Sequence, residues 1–177
     1  MTKHLLYGSN EDPMLSPGFL EYILNNDFGE KNILELGAGF STLFFAKHFK
    51  HVFAYEVEEN WVNILKEKAK SKNLNNISLY LHGASLFREI SFLENLQQSD
   101  VILIDGNIPR HECVYFIDKF KKDKAIIVLD DGIRNMIAYK FLRDNYYCYD
   151  YLREDEYGIT QTSVFFERIN LKDREYR

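Results

Sequence analysis

The feature that most constrains this chain is the repeated alternation of short apolar runs with longer amphipathic stretches. The runs are Asn32–Leu36, His51–Glu56, Ile77–His82, Val101–Asp105, Ala125–Leu129, Tyr147–Leu152 and Thr160–Glu167. Near-continuous apolar runs of this length suit strands covered on both faces, as in a parallel sheet. Between them, Ser41–Phe49, Asn60–Lys70, His111–Phe120 and Arg134–Leu142 follow a helical period; the second places Trp61, Ile64, Leu65 and Ala69 on one stripe, with Lys66, Glu67 and Lys70 outside. Trp61 is thereby expected in the core. Ser16-Pro17 ahead of Phe19, Leu20, Ile23 and Leu24 predicts a helix start with serine as the cap and proline in the first turn.

Strand–helix alternation demands right-handed crossovers, hence an open twisted sheet with helices on both faces. The ending differs. Arg153–Ile159 is too short for a helical crossover, so the last two strands are expected to pair antiparallel. The predicted fold is α/β: a doubly wound, mostly parallel seven-stranded sheet closed by a C-terminal antiparallel hairpin.

At 177 residues, with no internal repeat or Pro/Gly/Ser linker, the chain is expected to form one domain over 1–177. It divides into an N-terminal helical segment, 1–30, and a core, 31–167. The formal charge of −5 has no compensating basic block. The run from Lys66 to Lys72 is interleaved with Glu67 and reads as the wet face of a helix, so nucleic acid is not favoured as a partner. Cys113 and Cys148 form no C-x-x-C pair and no zinc-spaced cluster, and both are expected to behave as small apolar groups. No segment approaches the ~20 apolar residues that cross a bilayer. The expectation is a cytoplasmic protein with a small-molecule substrate and no membrane partner, for which a homodimer is one open assembly.

In such sheets ligands bind beyond the carboxyl ends of the strands, where strand order reverses. The first strand leads into Glu35-Leu36-Gly37-Ala38-Gly39-Phe40-Ser41-Thr42. Gly37 and Gly39 let the backbone bend and let a ligand approach the main chain. A dinucleotide pyrophosphate wants helix N–H groups and no nearby carboxylate. Glu35, expected to project into the crevice, suits a cationic amino group instead, and the third glycine of the dinucleotide pattern is absent. Glu56 ends the second run about twenty residues beyond the glycine turn, where a carboxylate can accept from both ribose hydroxyls. Val57 beside it is placed to lie against an adenine face. His82-Gly83-Ala84-Ser85 ends the third run, where the Ala84 N–H or the Ser85 hydroxyl can read an adenine edge. Asp105-Gly106 and Asp130-Asp131-Gly132 end the next two; Asp-Gly pairs also form turns, but acidic groups at so many neighbouring strand ends exceed what turns require.

Asn32-Ile33-Leu34-Glu35-Leu36-Gly37-Ala38-Gly39-Phe40-Ser41-Thr42 resembles the first motif of the class I S-adenosylmethionine-dependent methyltransferases, a Rossmann-like family. Glu56 and Asp105 match the acidic residues ending that family's second and fourth strands, and the similarity covers roughly 31–167. The resemblance implies S-adenosyl-L-methionine as cofactor, with Glu35 and the Gly37–Gly39 turn at its methionine end, Glu56 at its ribose and Asp105 near the methyl. The sequence departs at Ala84, where many members carry an aspartate that reads the adenine amino group. Asp105, Asp130 and Asp131 also resemble the magnesium-holding positions of catechol-type O-methyltransferases, although the expectation here is an enzyme without a metal.

The reading is thus a methyltransferase acting on a small hydroxylated acceptor such as a metabolite or sugar, with Asp105, Asp130 and His111 as candidate bases. Arg110 and Arg134 are expected to pair with the aspartates. Two alternatives stay open: an NAD(P)-dependent oxidoreductase, and a fold relative that binds cofactor without turnover. An acceptor pocket is expected from Tyr7–Phe19, Asn107–His111 and Arg153–Gln161.

Overall fold

The structure is a computed structural model that describes residues 11–168, apart from Ala84, Glu156 and Tyr157. Seven strands form one sheet: β1 (Asn32–Leu36), β2 (His51–Glu56), β3 (Ile77–Leu81), β4 (Val101–Ile104), β5 (Ile126–Asp130), β6 (Tyr146–Asp155) and β7 (Gly158–Glu167). Their order is β3-β2-β1-β4-β5-β7-β6, parallel through β5, with β7 antiparallel to both its neighbours. Strand order reverses between β1 and β4, which is the switch point expected for this architecture.

Among the described residues six α-helices cover the sheet: α1 (Pro17–Asn25), α2 (Phe40–Phe45), α3 (Glu59–Ser71), α4 (Ile90–Gln98), α5 (Arg110–Phe120) and α6 (Met136–Asn145). The period of two along each strand divides the core cleanly. Ile33, Val52, Ala54, Val101, Leu103 and Val128 face α1, α2 and α3. Leu34, Leu36, Tyr55, Ile102, Ile104, Ile127 and Leu129 face α4, α5 and α6. Carried one step to the strand ends, this alternation sets Glu35, Glu56, Asp105 and Asp130 on the first face, and Val57 and His82 on the second.

Several expectations change in detail. Ser16 sits at the cap of α1, but its side chain makes no cap bond. Its Oγ instead accepts from Thr162 N at 3.2 Å, while Ser16 N donates to Thr162 Oγ1 at 3.0 Å. This reciprocal pair pins α1 to β7. The helix expected through Phe49 ends as α-helix at Phe45, where Lys47 N and His48 N bond three residues back and tighten the chain into a turn. The helix expected over Arg134–Leu142 divides into a 3-10 turn, Gly132–Arg134, and α6, after Asp131 takes a left-handed φ of 53°. Helix α4 falls in a stretch with no predicted element; it buries Phe92, Asn95 and Leu96 at helical spacing. Cys113 is buried and Cys148 half-buried, and both are free thiols.

Candidate active site

The glycine turn after β1 and the Asp-Gly turn after β4 meet backbone to backbone. A Cβ on Gly37 would lie 2.6 Å from Gly106 Cα, and Gly37 and Gly106 have φ of +96° and +74°. Only residues without a Cβ permit both the conformation and the approach. Gly37 N and Ala38 N both donate to Tyr55 O, which fixes the turn to β2. Trp61 Nε1 donates to Ala38 O at 2.8 Å, so the half-buried indole steadies this turn from α3 and is not simply the core residue its stripe predicts.

Glu35 does not open onto the crevice. It is 0 % exposed, and its two oxygens accept from the Ser41 and Thr42 hydroxyls of α2. Thr42 Oγ1 in turn accepts from Gly39 N at 3.0 Å, so α2, the turn and the carboxyl form one unit. The helix side of the strand, read as a crevice wall from sequence, is filled by the first turn of α2. Burial pushes the Glu35 carboxyl up to about 8, against the lowering effect of the two hydroxyls; Asp105 and Glu56 push it further in the same direction. Glu35, Glu56 and Asp105 stand at the carboxyl ends of the adjacent strands β1, β2 and β4.

Glu56 is the more open group. Its Oε1 accepts from Val57 N at 2.7 Å and Glu58 N at 3.0 Å, and its Oε2 has no hydrogen-bond partner among the described residues. Asp105 Oδ1 accepts from Gly106 N at 2.6 Å and from Arg110 Nη2 at 2.8 Å. Burial raises the Asp105 carboxyl above the usual carboxylate range, opposed by Arg110 and reinforced by Asp131 and Glu56. Its Oδ2 also lacks a protein partner among the described residues.

The remaining aspartates turn elsewhere. Asp130 is buried and accepts from Thr162 Oγ1 at 2.6 Å; burial and the charge of Asp105 lift it to about 7. Arg110, expected to pair with a carboxylate, does so with Asp105 and also donates from Nη1 to the Asp130 carbonyl at 2.5 Å. Arg134 bridges to Asp131 at 3.2 Å. Because each aspartate has its own direction, no group of three or more His, Cys, Asp or Glu among the described residues stands where it could share a metal ion. His111 is exposed on the first turn of α5 and lines a shallow cavity of 350 Å³ with Arg134, Asn135 and Met136, so it joins none of the carboxyls above.

On the opposite face, at the ends of β2, β3 and β4, lies a cavity of 470 Å³ lined by Val57, His82, Gly83, Leu86, Phe87, Asn107, Ile108, Pro109, Glu112 and Cys113. Val57 and Gly83, both expected near an adenine, line this cavity. Ser41 is spent on Glu35, Ser85 is exposed at the start of a 3-10 turn, Leu86–Arg88, and Ala84 lies outside the described residues, as do Tyr7 to Asn10, Glu156 and Tyr157 of the expected acceptor loops. Asn107, Ile108 and Pro109, expected in an acceptor loop, line this cavity; the residues the sequence does not mark are Leu86, Phe87, Glu112 and Cys113, the last because it falls on the buried stripe of α5 and reads as packing.

No protein-family model matches the chain. Among solved structures, it superposes with an O-methyltransferase from Bacillus cereus in complex with SAH (TM-score 0.68, 17% identity, 88% of this chain and 84% of that one). It also superposes with the O-methyltransferase TomG from Streptomyces achromogenes in complex with SAM (TM-score 0.69, 14% identity, 89% and 83%). The chain therefore has the fold of the class I S-adenosylmethionine-dependent methyltransferases. In sequence it is 28% identical over 145 residues to the ribosomal RNA small subunit methyltransferase A of Mesomycoplasma hyopneumoniae strain J, covering 78% of this chain. The chain spans about half the length of that relative, 51%.

Proposed function

We propose that the chain binds S-adenosyl-L-methionine across the carboxyl edge of the sheet and transfers its methyl group to a small hydroxylated acceptor. One observation carries the reading: Glu35, Glu56 and Asp105 end three adjacent strands on one face, around the Gly37–Gly106 contact, while a largely apolar cavity with room for a purine opens on the other face. A ligand with a cationic amino acid at one end, a ribose in the middle and a flat heterocycle at the other matches that sequence of environments.

The residues divide the task. The turn Gly37–Gly39 offers its main chain to the amino-acid end, with Glu35 beneath it supplying negative charge once a cation arrives. Glu56 Oε2 accepts from ribose hydroxyls, as its free lone pairs allow. Val57, Leu86, Phe87 and Ile108 exclude water from the purine. When bound, the cofactor supplies an electrophilic methyl on a sulfonium; the protein's share is alignment of the acceptor with it. Asp105 Oδ2 takes the proton of the acceptor hydroxyl, with Arg110 holding the carboxyl in place and Asp130 kept from competing by Thr162.

A second reading, methylation of RNA, is favoured by the sequence relative, a ribosomal RNA methyltransferase; the net charge of −5 without a basic block weighs against it. Isothermal titration with S-adenosylmethionine tests the common core of both. Binding in the micromolar range is expected, and no heat at millimolar cofactor would end the proposal. Methylation of a ribosomal RNA fragment, with no small acceptor consumed, would replace the first reading by the second.

A further inference from the structure

The cavity that the proposed function gives to the purine has mostly apolar walls, so few side chains can tell one purine from another. The polar side chains among its lining are His82, Asn107 and Glu112, besides the thiol of Cys113. Glu112 is 61 % exposed and Asn107 is also exposed, so any hydrogen bond they offer is in exchange with water and discriminates little. His82 differs: it is 8 % exposed.

The ring of His82 is held from two sides. Tyr55, fully buried in the core, meets it edge-on with ring centroids 6.3 Å apart. Its Nδ1 lies 3.2 Å from the carbonyl oxygen of Gly83. A carbonyl only accepts, so Nδ1 carries the proton, and in the neutral ring Nε2 is left as a lone-pair acceptor. Nε2 has no hydrogen-bond partner among the described residues, on a side chain that borders the cavity.

We propose that His82 reads the purine: its Nε2 accepts a hydrogen bond from the exocyclic amino group of adenine and makes the site selective for adenosyl over 6-oxo ligands. This rests on the cavity being the purine site of the proposed function. An amino group at the six position gives Nε2 a donor. A carbonyl there sets two acceptors against each other in a buried place, and sites built around a buried hydrogen-bonding group reject such analogues strongly.

The test is calorimetric titration of the full chain with S-adenosylhomocysteine and with its inosine counterpart, S-inosylhomocysteine. The wild type should prefer the adenine ligand by roughly tenfold or more. His82→Asn keeps a group near Nδ1 and deletes Nε2, so it should weaken the adenine ligand by about tenfold and leave the inosine ligand unchanged. His82→Gln places an amide near Nε2 that can present either its oxygen or its nitrogen; it should hold the adenine ligand within a few-fold and gain the inosine ligand. An unaltered preference in His82→Asn, or a Gln variant that takes the inosine ligand no better than wild type, overturns the assignment. Loss of the preference in Glu112→Gln, with His82 intact, moves the reader to Glu112 and also overturns it. If the wild type binds neither ligand, the cofactor reading itself has failed, an outcome separate from both.

Discussion

The carboxyl edge of the sheet has two sides, and they treat their acidic groups differently. After β1 and β2, Glu35 and Glu56 meet hydroxyls and backbone N–H groups, with no cationic side chain among their hydrogen-bond partners. After β4 and β5, Asp105 and Asp131 each face an arginine, and Asp130 a threonine. Burial pushes up the Glu35 carboxyl, whose partners are neutral hydroxyls. One beside a guanidinium has that rise opposed and its direction fixed, as Arg110 does for Asp105. On the proposed function, the first side answers a charged ligand and the second orients a group and holds or passes a proton.

The largest expected effect lies at the junction of the two sides. Gly37→Ala would force a Cβ against the Gly106 backbone at a positive φ, and should cost about 3 kcal/mol or more. Urea unfolding reads it; a loss under 1 kcal/mol would mean that the two turns are not locked. Next comes the pH response of Glu35. Its carboxyl titrates at about 8 when folded against a reference of 4.5, so between these values the native state binds more protons than the unfolded chain. Stability is then highest near pH 5 and falls as pH rises towards 8, by a loss on the order of 2–4 kcal/mol. Glu35→Gln should flatten most of that slope, leaving the smaller one with the same sign from Asp130. A stability curve unchanged in the variant would erase the contrast drawn between the two sides.

Arg110→Ala should cost about 2–3 kcal/mol by stranding Asp105, with Arg110→Lys recovering only part, since an ammonium cannot serve Asp105 and the Asp130 carbonyl in one plane. Glu56→Ala should leave folding intact and weaken S-adenosylmethionine by roughly 1–3 kcal/mol on titration; unchanged affinity would remove Glu56 from the site. The smallest effect is Trp61→Phe. It keeps the ring and deletes the N–H to Ala38 O, for about 1 kcal/mol in cofactor affinity. A change in unfolding midpoint with affinity untouched would make Trp61 a packing residue only.

Much of this was legible in the residues. The apolar runs give every strand to within a few positions: β1, β4 and β5, largely buried, are written almost entirely in Ile, Leu and Val, and the short Arg153–Ile159 link forces the closing hairpin. Helix α4 was not legible: its stripe of Phe92, Asn95, Leu96 and Ser99 includes two polar residues that are buried only because Asn95 meets the Tyr55 hydroxyl and Ser99 the Asn95 carbonyl. At the site, the strand-end carboxylates stand out by position, yet their environments do not. That Glu35 is sealed by Ser41 and Thr42 depends on how α2 docks, and that Asp130 turns to Thr162 depends on a strand more than thirty residues away. Gly106 looks like half of an Asp-Gly turn until Gly37 is seen against it.

That meeting of two glycines has a consequence for how the molecule can vary. Each occupies the space the other's side chain would need, so neither loop is free to be remodelled alone. A second alanine added to a variant in which the turns have already parted should cost less than the first, because the contact is gone and only the strain of its positive φ remains. The floor of the crevice is in this sense a property of two distant segments acting as one, and its shape cannot be altered from either side by itself.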